Sequence, residues 1–148
     1  MQHSSPLNQR LACAHRFKLT DQQLHSHSLG IAREEFNSCS SGIAPLMTGP
    51  MVLTASPDWK ALSVYSLRRW QQILPELWRL PKDNQLAKQF MVRFLGFEKH
   101  IHASEPLCFT TNLMNYARLD HDVMLLDFGQ HHAEIWSDTS LSNNHKQT

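Results

Sequence analysis

The stretch VMLLDFGQHHAEIWS, Val123 to Ser137, decides how this chain folds, because it restates an earlier one. MVLTASPDWKALSVYS, Met51 to Ser66, has the same layout of β-prone run, turn, second β-prone run and serine. Val64-Tyr65-Ser66 matches Ile135-Trp136-Ser137 at an offset of 71 residues. Each copy reads as a β-hairpin, the first around a Pro-Asp turn, and each ends on a residue type that caps helices. A short helical candidate precedes each, AREEF (Ala32–Phe36) and NLMNYA (Asn112–Ala117). A supersecondary unit repeated in this way implies a pseudo-symmetric α+β protein.

Between the copies the period changes. Leu67, Trp70, Ile73, Leu74, Leu77 and Trp78 recur at helical spacing behind Ser66, which serves as the N-cap. Pro75 removes a backbone donor, so it is expected to kink or split this helix, and Pro81 to end it. A second helix follows, with Asp83 as its cap, Leu86, Ala87, Phe90, Met91, Phe94 and Leu95 as its stripe, and Gly96 as its stop. The stripe is expected to be a core face, since a helical hairpin must bury its apolar side. Ser40–Pro50 reads as a loop by its Gly and Pro content, and LCFTT (Leu107–Thr111) as a strand. Residues 1 to 28 are polar and lack a sustained period, which suggests a loose arm or a poorly formed first strand. The expected organisation is a first half over residues 1–66, a linking helical hairpin over 67–96, a second half over 97–141 and a polar tail over 142–148.

At 148 residues, 41% hydrophobic and 18% charged, the chain has the size and composition of one soluble domain or two small halves sharing a core. Its formal net charge of +1 provides no global field for nucleic acid or acidic lipid, although a local patch is still open to it. Three scattered cysteines, Cys13, Cys39 and Cys108, make no CxxC pair and favour a reducing compartment. The opening residues lack the apolar segment of a signal peptide, and no apolar run approaches the roughly 20 residues that span a bilayer. A cytoplasmic protein without a membrane partner is expected.

The ten histidines are the natural candidates for metal chemistry. His25/His27 and His100/His102 are H-x-H pairs, which on a strand point to one face. No carboxylate or cysteine accompanies them at a recognised ligand spacing, so surface histidine is the preferred reading and no metal or other cofactor is expected. His131 and His132 are adjacent, which on a strand sends them to opposite faces, and a hairpin turn with exposed imidazoles is expected there. Catalytic patterns are missing too: there is no G-x-S-x-G, no Gly-rich phosphate loop and no H-E-x-x-H. The chain does not read as an enzyme.

The segment from Met51 to Trp136 resembles the MraZ family of bacterial transcriptional regulators. The resemblance lies in MVLTASPDWKALSVYSLRRWQQILPELWRLPKDNQLAKQFMVRFLGF and YARLDHDVMLLDFGQHHAEIW: a first hairpin, a W…L…LP helix, a helix ending in LG, and a G-Q…E-I-W hairpin in the family's order. It implies two SpoVT/AbrB-like swapped-hairpin β-barrel halves, a ring-like homo-oligomer and binding to repeated boxes in promoter DNA on the nucleoid. The family's D-x-x-G-R signature is missing from both halves. In the second, HASEP places His102, Glu105 and Pro106 where Asp, Gly and Arg are expected; in the first, LHSHS (Leu24–Ser28) is the best placement. The basic residues nearest these positions are Arg16, Lys18, Arg33, Lys99, His100 and His102, which are the candidate phosphate contacts. The alternative is an oligomeric interaction protein of the same descent that does not bind DNA.

Overall fold

The computed structural model describes residues 13–23, 28–39 and 42–139. The first elements are the strands β1 (Cys13–Lys18), β2 (Thr20–Gln22) and β3 (Ser28–Ile31), a 3-10 turn (Arg33–Ser38) and a short helix α1 (Ala44–Thr48). The hairpin β4 (Met51–Ala55) and β5 (Leu62–Ser66) leads into α2 (Leu67–Trp78) and α3 (Gln85–Gly96). The chain then forms β6 (Lys99–Ile101), β7 (Leu107–Cys108), α4 (Thr111–Ala117) and the hairpin β8 (Asp122–Asp127) and β9 (His132–Ser137).

These strands build a six-stranded sheet in the order β1-β8-β9-β5-β4-β6 and a three-stranded sheet in the order β2-β3-β7, with every pairing antiparallel. The two repeated hairpins lie side by side through β5 and β9, with Leu62 opposite Ile135 and Val64 opposite Ala133. The outer edge of each hairpin carries a strand from the other half of the chain: β1 pairs with β8, and β6 with β4. The α+β expectation and the paired hairpins agree with this arrangement. Closed barrels do not: among the described residues both sheets are open.

Residue period explains the layering. Met51, Leu53, Leu62, Val64, Val123, Leu125, Ala133 and Ile135 alternate along four strands onto one face, where Phe17, Ile31, Leu46, Leu107 and Leu113 complete the main core. On the opposite face Val52 meets Trp70, Leu77 and Phe94 of the two helices, while Leu126 and Trp136 pack with Ala61. The central strands are therefore covered on both sides, with Thr54, Ser63 and Glu134 buried as polar groups on the second face.

The helix ends follow side-chain chemistry. The Ser66 hydroxyl accepts from the Arg69 backbone N–H, as the cap reading expects. Pro75 does not split α2, which runs unbroken past it, and its ring lies on the exposed side. The cap of α3 is Asn84, not Asp83: its carboxamide oxygen accepts from Leu86 and Ala87 at 2.9 and 3.2 Å. Gly96 is the last residue of that helix, so the stop falls one position later than expected.

Two other expectations need correction. Ser40–Pro50 is not all loop, because Ala44–Thr48 is helical, with Pro45 in the first turn, where its missing N–H leaves no bond unmade. Burial of Leu46 and Met47 holds that helix in place. Of the N-terminal segment, read as a loose arm or a poorly formed first strand, Cys13–Lys18 is a regular edge strand in which Phe17 is buried and the flanking Arg16 and Lys18 are exposed. One glycine is fixed by close approach. A Cβ on Gly30 would lie 2.9 Å from the Cys108 Cα and closer still to the Leu107 carbonyl oxygen. Both obstacles are backbone, so Gly30→Ala should destabilise the fold by about 2 kcal/mol through forced separation of β3 and β7. An unchanged urea midpoint would show that the small sheet yields.

Candidate nucleic-acid interface

The segment HASEP, where the signature would lie, folds into a self-bonded turn. The Glu105 N–H donates to the His102 carbonyl at 3.0 Å, and the His102 N–H donates to the Glu105 carboxylate at 2.8 Å. The Glu105 side chain thus closes the turn.

Arg33 clamps this turn from outside. Its guanidinium donates to the His102 and Met47 carbonyls at 2.7 Å each, to the Gly49 carbonyl at 3.0 Å, and to the Glu105 carbonyl. The planar fork thereby ties the turn to the C-terminal end of α1. Burial lowers the Arg33 pKa, and the charge of Glu105 opposes that shift. Beside it a cleft of about 420 Å³ is lined by Asp21, Gln22, Gln23, Arg33, Glu34, Ser104 and Pro106, a mixture with no surplus of cations.

The other candidates occupy the two edges of the large sheet. Arg16 and Lys18 lie on β1, and Lys99 and His100 on β6, five strand spacings apart, or about 24 Å. Lys99 donates to the Cys108 carbonyl at 3.0 Å, and its charge opposes the burial that raises the Cys108 thiol pKa. Exposed His100 sits 3.3 Å from the Glu98 carboxylate. Arg16 lies 3.5 Å from Asp138 across an open surface, an ion pair worth little. Lys18 and His102 are exposed. The fold therefore joins Arg33 to the His102 turn and leaves Arg16 and Lys18 at the far edge.

His102 lies beyond the end of β6, so no strand holds His100 and His102 to one face. Among the described residues no group of three His, Cys, Asp or Glu could hold a metal ion, and the His25/His27 pair lies outside them. The adjacent histidines of the hairpin part company. His131 is exposed and its Nδ1 lies 2.9 Å from the Ser66 hydroxyl, which ties the second hairpin to the start of α2. His132 is not an exposed imidazole: its ring stacks on Tyr65 at 4.7 Å and 7° and lies 5.3 Å from the Phe128 ring. Burial and nearby Arg69 depress its pKa to about 4.

Two residues along β9, Glu134 is buried opposite Ser63 and accepts from the Trp136 indole N–H at 3.2 Å. Burial pushes its carboxyl up to about 7, the indole hydrogen bond works against that shift, and Asp58 adds to it. The sequence reading missed this pair. Alternate His and Glu in a strand have the spacing of solvent-facing residues, so no local signal marked them.

No protein-family model matches the chain. A "Transcriptional regulator MraZ" of Azoarcus sp. (strain BH72) is 33% identical over 91 residues, covering 60% of this chain and 60% of that protein. The chain is similar to MraZ over this part of its length. A second MraZ, from Legionella pneumophila (strain Corby), is 29% identical over 90 residues, or 60% of this chain and 59% of the relative. A third, from Saccharophagus degradans (strain 2-40 / ATCC 43961 / DSM 17024), is 28% identical over 98 residues, covering 65% and 66%. The chain thus spans about 60% of the length of the first MraZ relatives it matches. No helix among the described residues is long and apolar enough to cross a membrane.

Proposed function

We propose that the chain is a DNA-binding transcriptional regulator of the MraZ type, acting as a homo-oligomer on promoter DNA in the cytoplasm, at the nucleoid. The observation that carries this reading is the MraZ similarity over Azoarcus, Legionella and Saccharophagus proteins, all named transcriptional regulators. The exchange of edge strands between the repeated hairpins supports a swapped-hairpin arrangement of the SpoVT/AbrB kind, with residues 67–96 as the link between halves. Self-association is supported by Trp78, Leu86 and Val92, large apolar side chains left 59%, 76% and 73% exposed on the helix pair.

In this reading the exposed candidates Arg16, Lys18, His100 and His102 contact phosphates. Arg33 and Lys99 shape the turn and the β6 edge through their carbonyl bonds. The measurement is a titration of the full chain with a promoter duplex carrying repeated boxes, at low and at raised salt. Binding at low salt is expected, with an affinity that falls by about one log unit per log unit of salt for every phosphate neutralised. Light scattering should report an oligomer at micromolar protein. An oligomer that binds no duplex even at low salt would replace the regulator with the interaction-protein reading.

A further inference from the structure

The helix pair carries a charge that the whole-chain figure conceals. Residues 67–96 hold six of the fourteen Lys and Arg but only two of the thirteen Asp and Glu, a net +4. The remainder of a chain whose formal charge is +1 is therefore −3. Arg68, Arg79, Lys82 and Lys88 are all exposed, and among the described residues no carboxylate pairs with any of them. The other candidate cations are placed differently: Arg33 and Lys99 bond carbonyls, His100 has Glu98, and Arg16 has Asp138.

We infer that the outer ridge of α2, together with the tip that follows it, is a second phosphate-contacting surface of this chain and a stronger one than the residues at the sheet edges. This inference rests on the DNA-binding reading above. Arg68, Gln72, Pro75 and Arg79 succeed one another at four-, three- and four-residue steps, which stacks them on one line of the helix. Arg68 and Arg79 are about 16 Å apart along the axis, the axial reach of roughly five phosphates on one DNA strand. Trp70 and Leu77, on the opposite side of the helix, are buried against the sheet and fix the ridge outward. Lys82 extends the positive line into the tip before α3. Gln71 and Gln72, also exposed, add neutral donors on the same side, the mixture that phosphate backbones accept. Leu86 and Val92 belong to α3, so the apolar surface proposed for self-association lies largely off this ridge.

The test uses the full chain with Arg68→Ala, Arg79→Ala and Lys82→Ala combined, a non-specific duplex, a duplex with repeated boxes, and vesicles of phosphatidylserine and phosphatidylcholine. The three side chains are exposed, so the urea midpoint should stay unchanged. The triple variant should bind both duplexes at least tenfold more weakly at low salt, with the log–log salt slope reduced by about three units. A Lys18→Ala/His100→Ala variant should lose less. Equal duplex binding by parent and triple variant would overturn the inference and leave the regulator reading standing, as would a triple variant that loses only vesicle binding. A parent that binds neither duplex would remove the regulator reading and this inference together.

Discussion

Replacing Arg33 by alanine is expected to destabilise the protein by about 3 kcal/mol, with a fall in melting temperature of roughly 10 °C. The guanidinium serves four carbonyls, on His102, Glu105, Met47 and Gly49, and a single water, with two O–H donors, cannot replace it. Charge-assisted hydrogen bonds contribute about 1.5–3 kcal/mol each, and the desolvation that lowers the Arg33 pKa takes back part of that total. Arg33→Lys keeps the charge but not the planar fork, and should recover less than half of the loss. Urea denaturation of the two variants measures this directly. A change below 0.5 kcal/mol for Arg33→Ala would mean the carbonyl bonds are exchangeable with water. If duplex binding fell at the same time, Arg33 would act as a free phosphate contact, as its position beside the lost signature suggests.

Arg33 also shows where sequence reading stops. Its nearness in the chain to the lost signature made it a candidate, but its partners are 14, 16, 69 and 72 residues away. Nothing local announces a fork that bonds backbone carbonyls. Features fixed by neighbouring residues were legible. Ser66 caps α2 because its hydroxyl reaches an N–H three residues on, and the repeated hairpins pair because both turns and both apolar runs are local. Strand β1 was obscure because its single strongly apolar inward residue, Phe17, is flanked by Arg16 and Lys18, and an edge strand needs little more. Helix α1 was obscure because its Pro and the glycine after it suggest a loop until the burial of Leu46 and Met47 is known. The openness of the sheets is a long-range property, and no residue pattern carries it. In β9, Glu134 has the spacing of a solvent-facing residue in a half-buried strand. It is buried because β9 lies inside a sheet covered on both faces, which is visible only once the strand order is known.

That burial sets up a pH dependence that the intact protein masks. Glu134 is raised from 4.5 to about 7, so the folded state holds a proton that the unfolded chain releases between those values. Its contribution is undiminished below 4.5 and declines as pH rises to 7, by about 3 kcal/mol in all. His132 is lowered from 6.5 to about 4, so here the unfolded chain binds the extra proton. Its contribution is intact above 6.5 and is lost as pH falls to 4, again by about 3 kcal/mol. Between about 4.5 and 6.5 the two slopes are equal and opposite, and the pair leaves stability flat. Glu134→Gln keeps an acceptor for the Trp136 indole and removes the carboxylate, so relative to the parent it should gain about 3 kcal/mol at pH 8 and nothing at pH 4.5. His132→Phe keeps a ring between Tyr65 and Phe128, and its gain relative to the parent should run the other way, greatest at pH 4 and gone by pH 7. Urea unfolding of the parent and both variants at half-unit steps from pH 4 to 8 separates the two contributions. The difference between each variant and the parent cancels every other titrating group. Differences that stay constant across that range would mean Glu134 and His132 titrate alike in the folded and unfolded chains, and the buried pair would then be open to water.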